Sequence, residues 1–319
     1  MAFNRSIIPL LGAPGARLTG TKLKENLTNA EIQFNSLAKL MEEFQPDGIF
    51  FMMDLTVEAE ALGLEIGFPE DDNPYVKEHP IKGPDELSSV KNSWRGVSGR
   101  MPVFTEVADK MARELPGKRG SYVIGPLSLA GELVGVTDLC MKLIEEPDFA
   151  ENVIDFCARV VRDYSRVLVD HGADMIAVLE PTAVLLSKRQ FRRFALPYFE
   201  KLRSELSKPL IYHICGDTEH IVEPMGASGA YGLSLDSMVD LKAAAEIIPE
   251  DVFLIGNIDP VKVFLQSSEE EVERETKRLL KKMENVSNFI LSSGCDIPLE
   301  TPPENIAAFV RTGRDYRSE

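Results

Sequence analysis

Short, continuous apolar runs recur along the chain, most of them followed by a stretch of helical periodicity. They stand at residues 7–12 (IIPLLG), 48–54 (GIFFMMD), 122–126 (YVIGP), 175–180 (MIAVLE), 210–215 (LIYHIC), 232–236 (GLSLD), 252–256 (VFLIG) and 289–293 (FILSS). Runs that stay apolar without alternating are the mark of parallel strands buried on both faces. Helical patterns occupy 29–44, the stretch from 126 to 143, 150–170 and 262–285, the last carrying a charge run that reads as a solvated face. Eight strands separated in this way predict an α/β fold, a (β/α)8 TIM barrel; an open doubly wound sheet is the other arrangement the pattern allows. Residues 58–119 are long, irregular and rich in turn signals, and are expected to form an insertion after the second strand that caps the barrel mouth. No repeat, low-complexity tract or linker divides the chain, so residues 1–319 are expected to form one domain.

Composition narrows the classes of function. With 35 basic against 51 acidic side chains, the net charge of −16 argues against nucleic acid or an anionic membrane surface as a partner. No apolar stretch approaches the length of a membrane span, and a cytoplasmic location is expected. The start, MAFNRSIIPLLGAPGA, loosely resembles a secretory signal, but Pro9 and Pro14 break its apolar run and a first barrel strand explains it equally well. Four cysteines are too few for a disulfide scaffold and read as buried thiols or metal ligands.

In a barrel the loops at the C-terminal strand ends build the active site, and here those ends are polar. The second strand ends in Asp54, the fourth in Glu180 and the fifth in His213 and Cys215; the sixth ends in Asp236, the seventh runs into Asn257 and the eighth into Cys295. Residues two apart on a strand point the same way, so the His213 imidazole and the Cys215 thiol are expected to face one mouth, with Cys295 as a third corner. Two thiolates and one imidazole suit Zn²⁺, at about 2.3 Å for sulfur and 2.0–2.1 Å for nitrogen, and leave one position open, as in a catalytic site. Each of the three alone would read as an ordinary buried residue; their convergence points to a metal. Glu180 and Asp236 are candidate catalytic groups, as a transient fourth ligand or as the partner that orients His213, or else hydrogen-bond hubs of the mouth. Cys140 and Cys157 sit at helical spacing among apolar neighbours and read as packing. His220 is either a supporting group behind the metal or a helix-surface residue. The Gly12-Ala13-Pro14-Gly15 stretch is a tight turn and lacks the spacing of a phosphate loop.

The segments GAPGARLTG near the start, DLTVEAEALG at 54–63, HICGDT at 213–218, GNIDP at 256–260 and SSGCDIPLETPPENIAAFV at 292–310 carry a further signal. Through them nearly the whole chain resembles the uroporphyrinogen decarboxylase superfamily, and within it the corrinoid-dependent branch of methylcobalamin:coenzyme M methyltransferases. The most specific element is that branch's H-x-C … C zinc signature, matched by His213, Cys215 and Cys295. True decarboxylases hold an acidic tetrapyrrole with an arginine-rich N-terminal motif, and here that region offers only Arg17.

The resemblance implies a zinc-dependent, one-carbon enzyme. A thiol such as coenzyme M would bind zinc and take methyl from methylcobalamin, with the corrinoid as co-substrate on a separate corrinoid protein. Asp54, Asn257 and Arg17 are candidates for holding the co-substrates, Arg17 in particular for the anionic tail of coenzyme M. Two alternatives remain. The first is a demethylase component moving methyl from a methylated or methoxylated substrate to cob(I)alamin, or to or from tetrahydrofolate; the second is uroporphyrinogen decarboxylase itself.

Overall fold

A computed structural model describes residues 6–316 of the chain; the first five residues of the signal-like start lie outside them. The N-terminal part carries α1 (Pro14–Thr19), α2 (Leu23–Thr28) and α3 (Ala30–Phe44), then β1 (Gly48–Phe50) and α4 (Val57–Ala61). A two-stranded antiparallel hairpin, β2 (Ile66–Gly67) and β3 (Tyr75–Val76), precedes α5 (Pro84–Ser93) and α6 (Met101–Glu114). Next come β4 (Lys118–Ile124), α7 (Pro126–Val134), α8 (Val136–Glu145), α9 (Pro147–Asp170) and β5 (Met175–Leu179). Helices α10 (Lys188–Phe194) and α11 (Leu196–Glu205) lead to β6 (Leu210–Ile214), and α12 (Val222–Gly226) to β7 (Gly232–Leu235). Helix α13 (Leu241–Ala245), β8 (Phe253–Ile258), α14 (Glu269–Lys282), β9 (Phe289–Ser293) and α15 (Pro303–Asp315) complete the described chain.

The main sheet is parallel and curled, with seven strands in the order β1-β4-β5-β6-β7-β8-β9. Strands β5, β6, β7 and β9 are buried along their whole length, as their unbroken apolar runs require once helices cover the outside. The edge strands are linked through the extended segment at Ser6–Leu10. Ile8 N donates to Leu291 O at 3.0 Å, Leu291 N to Ser6 O at 3.0 Å and Asp47 N to Ile7 O at 2.9 Å. A single parallel bridge, Ile7 to Leu291, is all the ladder formed there, because Pro9 offers no N–H to continue it.

Two expected elements are shorter than the pattern implied. The run at 48–54 leaves the ladder early: Met52 N donates to the side chain of Gln33 at 3.1 Å, a partner supplied by α3. The helix expected at 262–285 is split into a π-helical turn, Pro260–Leu265, and α14, whose N-terminus is capped by the Ser268 hydroxyl. The segment 58–119 is more ordered than its turn signals implied. Its α6 packs against α3, α9 and β4 as one of the outer helices, burying Phe104. Asp71, Asp72, Asn73 and Pro74, between β2 and β3, line the cavity at the mouth.

Candidate metal centre

His213 lies on β6 opposite Leu179 of β5 and Ser234 of β7. Its ring is buried, and Nδ1 meets Ser234 Oγ at 2.9 Å, which leaves Nε2 facing the two thiols. Nε2 stands 3.0 Å from Cys215 Sγ and 3.8 Å from Cys295 Sγ, and the two sulfurs are 3.2 Å apart. Donor atoms bound to one tetrahedral zinc stand about 3.5–3.8 Å apart, so a small adjustment of the thiols would admit the ion. The donor set therefore fits zinc in number and chemistry, and in spacing once the thiols move apart by a few tenths of an ångström. Behind it, the Ser234 hydroxyl occupies the place of the group that fixes the tautomer of a metal-binding imidazole.

Cys295 reaches the cluster because β9 is followed directly by Gly294, whose N–H donates to Ile258 O at 2.8 Å. A Cβ on Gly294 would lie 2.5 Å from Ser237 N, so only glycine lets the β9 end pass the loop after β7. The two sulfurs are joined by a hydrogen bond. The bond from Cys215 holds the Cys295 thiol well below its ordinary range despite burial, with His213 adding to the effect. Cys215, which gives that hydrogen bond and is itself desolvated, is pushed up. Such a pair would release its remaining proton to solvent as a cation takes its place on the sulfurs.

The other sequence-derived candidates are placed around this cluster, each with a partner of its own. Asp236 Oδ2 accepts from Gly216 N at 2.9 Å, fixing the backbone directly after Cys215, while Oδ1 accepts from Met238 N at 3.1 Å. Asn257 Nδ2 donates to the carbonyls of Asp236 and Val239 at 2.9 and 2.8 Å, tying the loop after β7 to β8. Asp54 is committed to Arg100, which forms a buried ion pair with Oδ2, and to Thr56, whose N–H and hydroxyl reach Oδ1 at 2.8 and 2.7 Å. Arg17 donates to the carbonyl of Glu300 at the rim. His220 Nε2 is bound to Leu186 O at 2.9 Å, away from the cluster.

Glu180 is the candidate whose position differs most from an active-site carboxylate. Its oxygens accept from Leu127 N at 3.2 Å and Ser128 N at 2.5 Å, capping α7 from a neighbouring strand end. Gly125 makes room for it: a Cβ there would fall 2.2 Å from Oε2. Burial pushes this carboxyl up to about 7, against the lowering effect of the Ser128 and Leu127 hydrogen bonds.

Three functional or supporting residues were not singled out from the sequence. Ser234 is a polar residue at an inward strand position two before Asp236, so the alternation that paired His213 with Cys215 also marks it. Asp296 follows Cys295 and lines the cavity, with Oδ1 buried and without a hydrogen-bond partner among the described residues. Glu58 on α4 is fully buried, accepts from Ile124 N at 3.0 Å and is pushed up to about 8 by desolvation. A cavity of about 420 Å³ lies over the thiols, bounded by Cys215, Cys295, Asp54, Asp296 and the 71–74 and 298–300 segments.

The residue pattern of the uroporphyrinogen decarboxylase (URO-D) family matches residues 5–316, nearly the whole chain. The chain belongs to the uroporphyrinogen decarboxylase family. Methylcobamide:CoM methyltransferase MtbA of Methanosarcina mazei is 32% identical over 274 residues, 83% of this chain and 78% of that protein. A uroporphyrinogen decarboxylase of Parasynechococcus marenigrum is 26% identical, over 91% of this chain and 84% of its own. The solved structure of a methyltransferase from Methanosarcina mazei superposes with a TM-score of 0.86 at 25% identity, covering 97% of this chain and 93% of that one. Within the family, the chain stands with the methyltransferase branch.

Proposed function

We propose that this protein is a zinc-dependent methyltransferase that moves a methyl group between a methylcorrinoid, carried on a separate corrinoid protein, and a small thiol. The convergence of His213, Cys215 and Cys295 at the floor of an open cavity carries the reading, and the similarity to methylcobamide:CoM methyltransferases supports it. His213 Nε2, Cys215 Sγ and Cys295 Sγ would hold zinc, with Ser234 keeping the imidazole in the required tautomer. Bound there, zinc supplies Lewis acidity that turns a substrate thiol into a thiolate near neutral pH. Asp236 and Asn257 keep the loops after β6, β7 and β8 in fixed relation, so the ligands and the cavity wall hold one geometry. In the transfer, a sulfur–carbon bond forms as the carbon–cobalt bond breaks, its electron pair staying on cobalt; the corrin chemistry belongs to the co-substrate.

In this reading, the extended segment at Ser6–Leu10 is the first strand of a (β/α)8 barrel, and the 58–93 part of the insertion is its cap. Among the described residues no helix is long and apolar enough to cross a membrane, and the cytoplasm is the proposed place of work. The decarboxylase reading is disfavoured by the cavity itself, whose carboxylates would repel an acidic tetrapyrrole. Elemental analysis of protein purified without added metal, paired with methyl transfer from free methylcobalamin to a panel of thiols, tests the proposal. One zinc per chain and thiol methylation are expected. Substantially less than one equivalent, not restored by adding zinc, overturns the metal centre.

A further inference from the structure

Three large apolar side chains are left in water along one edge of the mouth. Leu185 is 59% exposed, Met238 64% and Val261 43%, on the loops that follow β5, β7 and β8. These loops are braced. Val184 lies over Gly216, the residue after Cys215, where an added Cβ would stand 3.2 Å from its Cγ2, and Leu186 O is met by His220 Nε2 at 2.9 Å. Met238 N donates to Asp236 Oδ1 at 3.1 Å and Val261 N to Asp259 Oδ1 at 2.9 Å. Gly216 N and Asn257 Nδ2 both donate to Asp236, so the loops after β6, β7 and β8 form one continuous edge. Single apolar residues scattered over a surface are ordinary, but a row of them on fixed loops beside a ligand cavity marks a contact surface. The charge at this edge also differs from the rest of the mouth. Arg189, exposed in the first turn of α10, has no ion-pair partner among the described residues, and Lys262, next to Val261, has only Asp259 at 3.9 Å. Exposed Asp72 and Glu300 stand on the cavity wall instead. In a chain of net charge −16, this edge is a place that attracts an acidic surface.

We infer that Leu185, Met238 and Val261, flanked by Arg189 and Lys262, form the docking surface for the corrinoid-carrying protein, which meets them with apolar side chains and acidic groups. The inference rests on the reading of the site as a corrinoid-dependent methyltransferase and specifies how its partner is held. Reach decides the occupant. Methyl on cobalt has to come within bonding distance of a sulfur at the His213, Cys215 and Cys295 cluster. A corrin fixed to another protein arrives there only if that protein rests on the loops around the mouth. The edge after β5, β7 and β8 offers the apolar side chains that the core of such an interface needs. The cations beside it and the carboxylates of the cavity wall give the mouth a polarity, which orients the partner and speeds encounter.

The corrinoid protein of the source organism, isolated as a separate chain by its cobalt absorbance, is the probe, and its binding to the zinc-loaded protein is followed by calorimetric titration. Leu185→Asp and Met238→Asp are each expected to weaken binding by about tenfold or more, since each would bury an unpaired carboxylate in the interface core. Arg189→Glu and Lys262→Glu are each expected to weaken it by about threefold at low salt and by less at high salt. Ile247→Asp is the control: this side chain is 54% exposed on the segment that enters β8, at the opposite end of the strands, and its substitution is expected to change nothing. Binding unmoved by both aspartates at Leu185 and Met238, or weakened as much by Ile247→Asp, overturns the inference. A dimer of this chain in sedimentation that Leu185→Asp dissolves assigns the edge to a second copy and overturns it as well. Methyl transfer to thiols is followed separately, from the corrinoid protein and from free methylcobalamin. If the corrinoid protein binds through this edge while methyl passes from neither donor, the methyltransferase reading falls and the docking surface stands. If methyl passes from free methylcobalamin while binding of the corrinoid protein ignores the edge, the docking surface falls and the methyltransferase reading stands.

Discussion

Ser234 decides which nitrogen of His213 faces the two sulfurs, although it belongs to a different strand. Its hydroxyl lies 2.9 Å from Nδ1 and is the hydrogen-bond partner that holds that nitrogen. Removing such a partner leaves the ligand in place but frees its rotation and tautomer, at a typical cost of about 10–100-fold in metal affinity. Ser234→Ala is therefore expected to weaken zinc binding by that factor, measured by competition with a chromophoric chelator. Unchanged affinity would show that the hydroxyl does not orient the imidazole. Cys215→Ser and Cys295→Ser change the ligand itself and are expected to leave the protein folded by circular dichroism while abolishing stoichiometric zinc and methyl transfer. Either variant retaining a full equivalent of zinc would remove that residue from the ligand set.

At the scale of elements, α7 depends on a carboxylate that comes from beyond β5. Glu180 accepts the N–H groups of Leu127 and Ser128, the first-turn donors that no intrahelical carbonyl can reach. Glu180→Ala strands both in a buried environment, and a loss of about 2–4 kcal/mol is expected in urea unfolding. Glu180→Gln keeps an acceptor and is expected to cost less than half as much. Equal stability of the alanine variant and the parent protein would show that α7 does not need the cap. Strands β5, β6 and β9 were legible almost to the residue because a strand buried on both faces has an unbroken apolar run. By contrast, β1 was overextended because Gln33, far away on α3, takes over a hydrogen bond that the pattern alone assigns to the ladder.

At the scale of the whole molecule, two buried carboxyls tie stability to pH. Desolvation pushes Glu58 up to about 8 and Glu180 up to about 7. Both have unfolded values near 4.3, so between there and about 8 the folded protein binds more protons than the unfolded chain. Stability is accordingly greatest, as far as these two groups go, below the unfolded value, and falls as pH rises through the window. Each carboxyl contributes a slope of at most about 1.4 kcal/mol per pH unit. Urea midpoints at pH 5, 6, 7 and 8 are expected to decline, and Glu58→Gln to flatten the decline, since glutamine keeps an acceptor for Ile124 N without titrating. A midpoint in Glu58→Gln that falls as steeply as in the parent would exclude Glu58 as a source of the slope.

The sequence by itself determined the order of strands and helices and the three metal-ligand candidates. Both are local: strand burial is written in consecutive residues, and the two-residue alternation of a strand puts His213 and Cys215 on one side without reference to the rest of the chain. Tertiary structure decided what each carboxylate does. Asp54 is met by Arg100, 46 positions away, and Glu180 by Ser128, 52 positions away, so strand-end position alone could not separate a structural carboxylate from a substrate-facing one. The same holds for the cavity wall. Asp71, Asp72, Asp296 and Glu300 carry no shared pattern along the chain, and only folding gathers them over the two thiols, while Arg17 is turned aside to a backbone carbonyl. Charge adds over space and not along sequence, which is why the electrostatic character of the site became legible only in three dimensions.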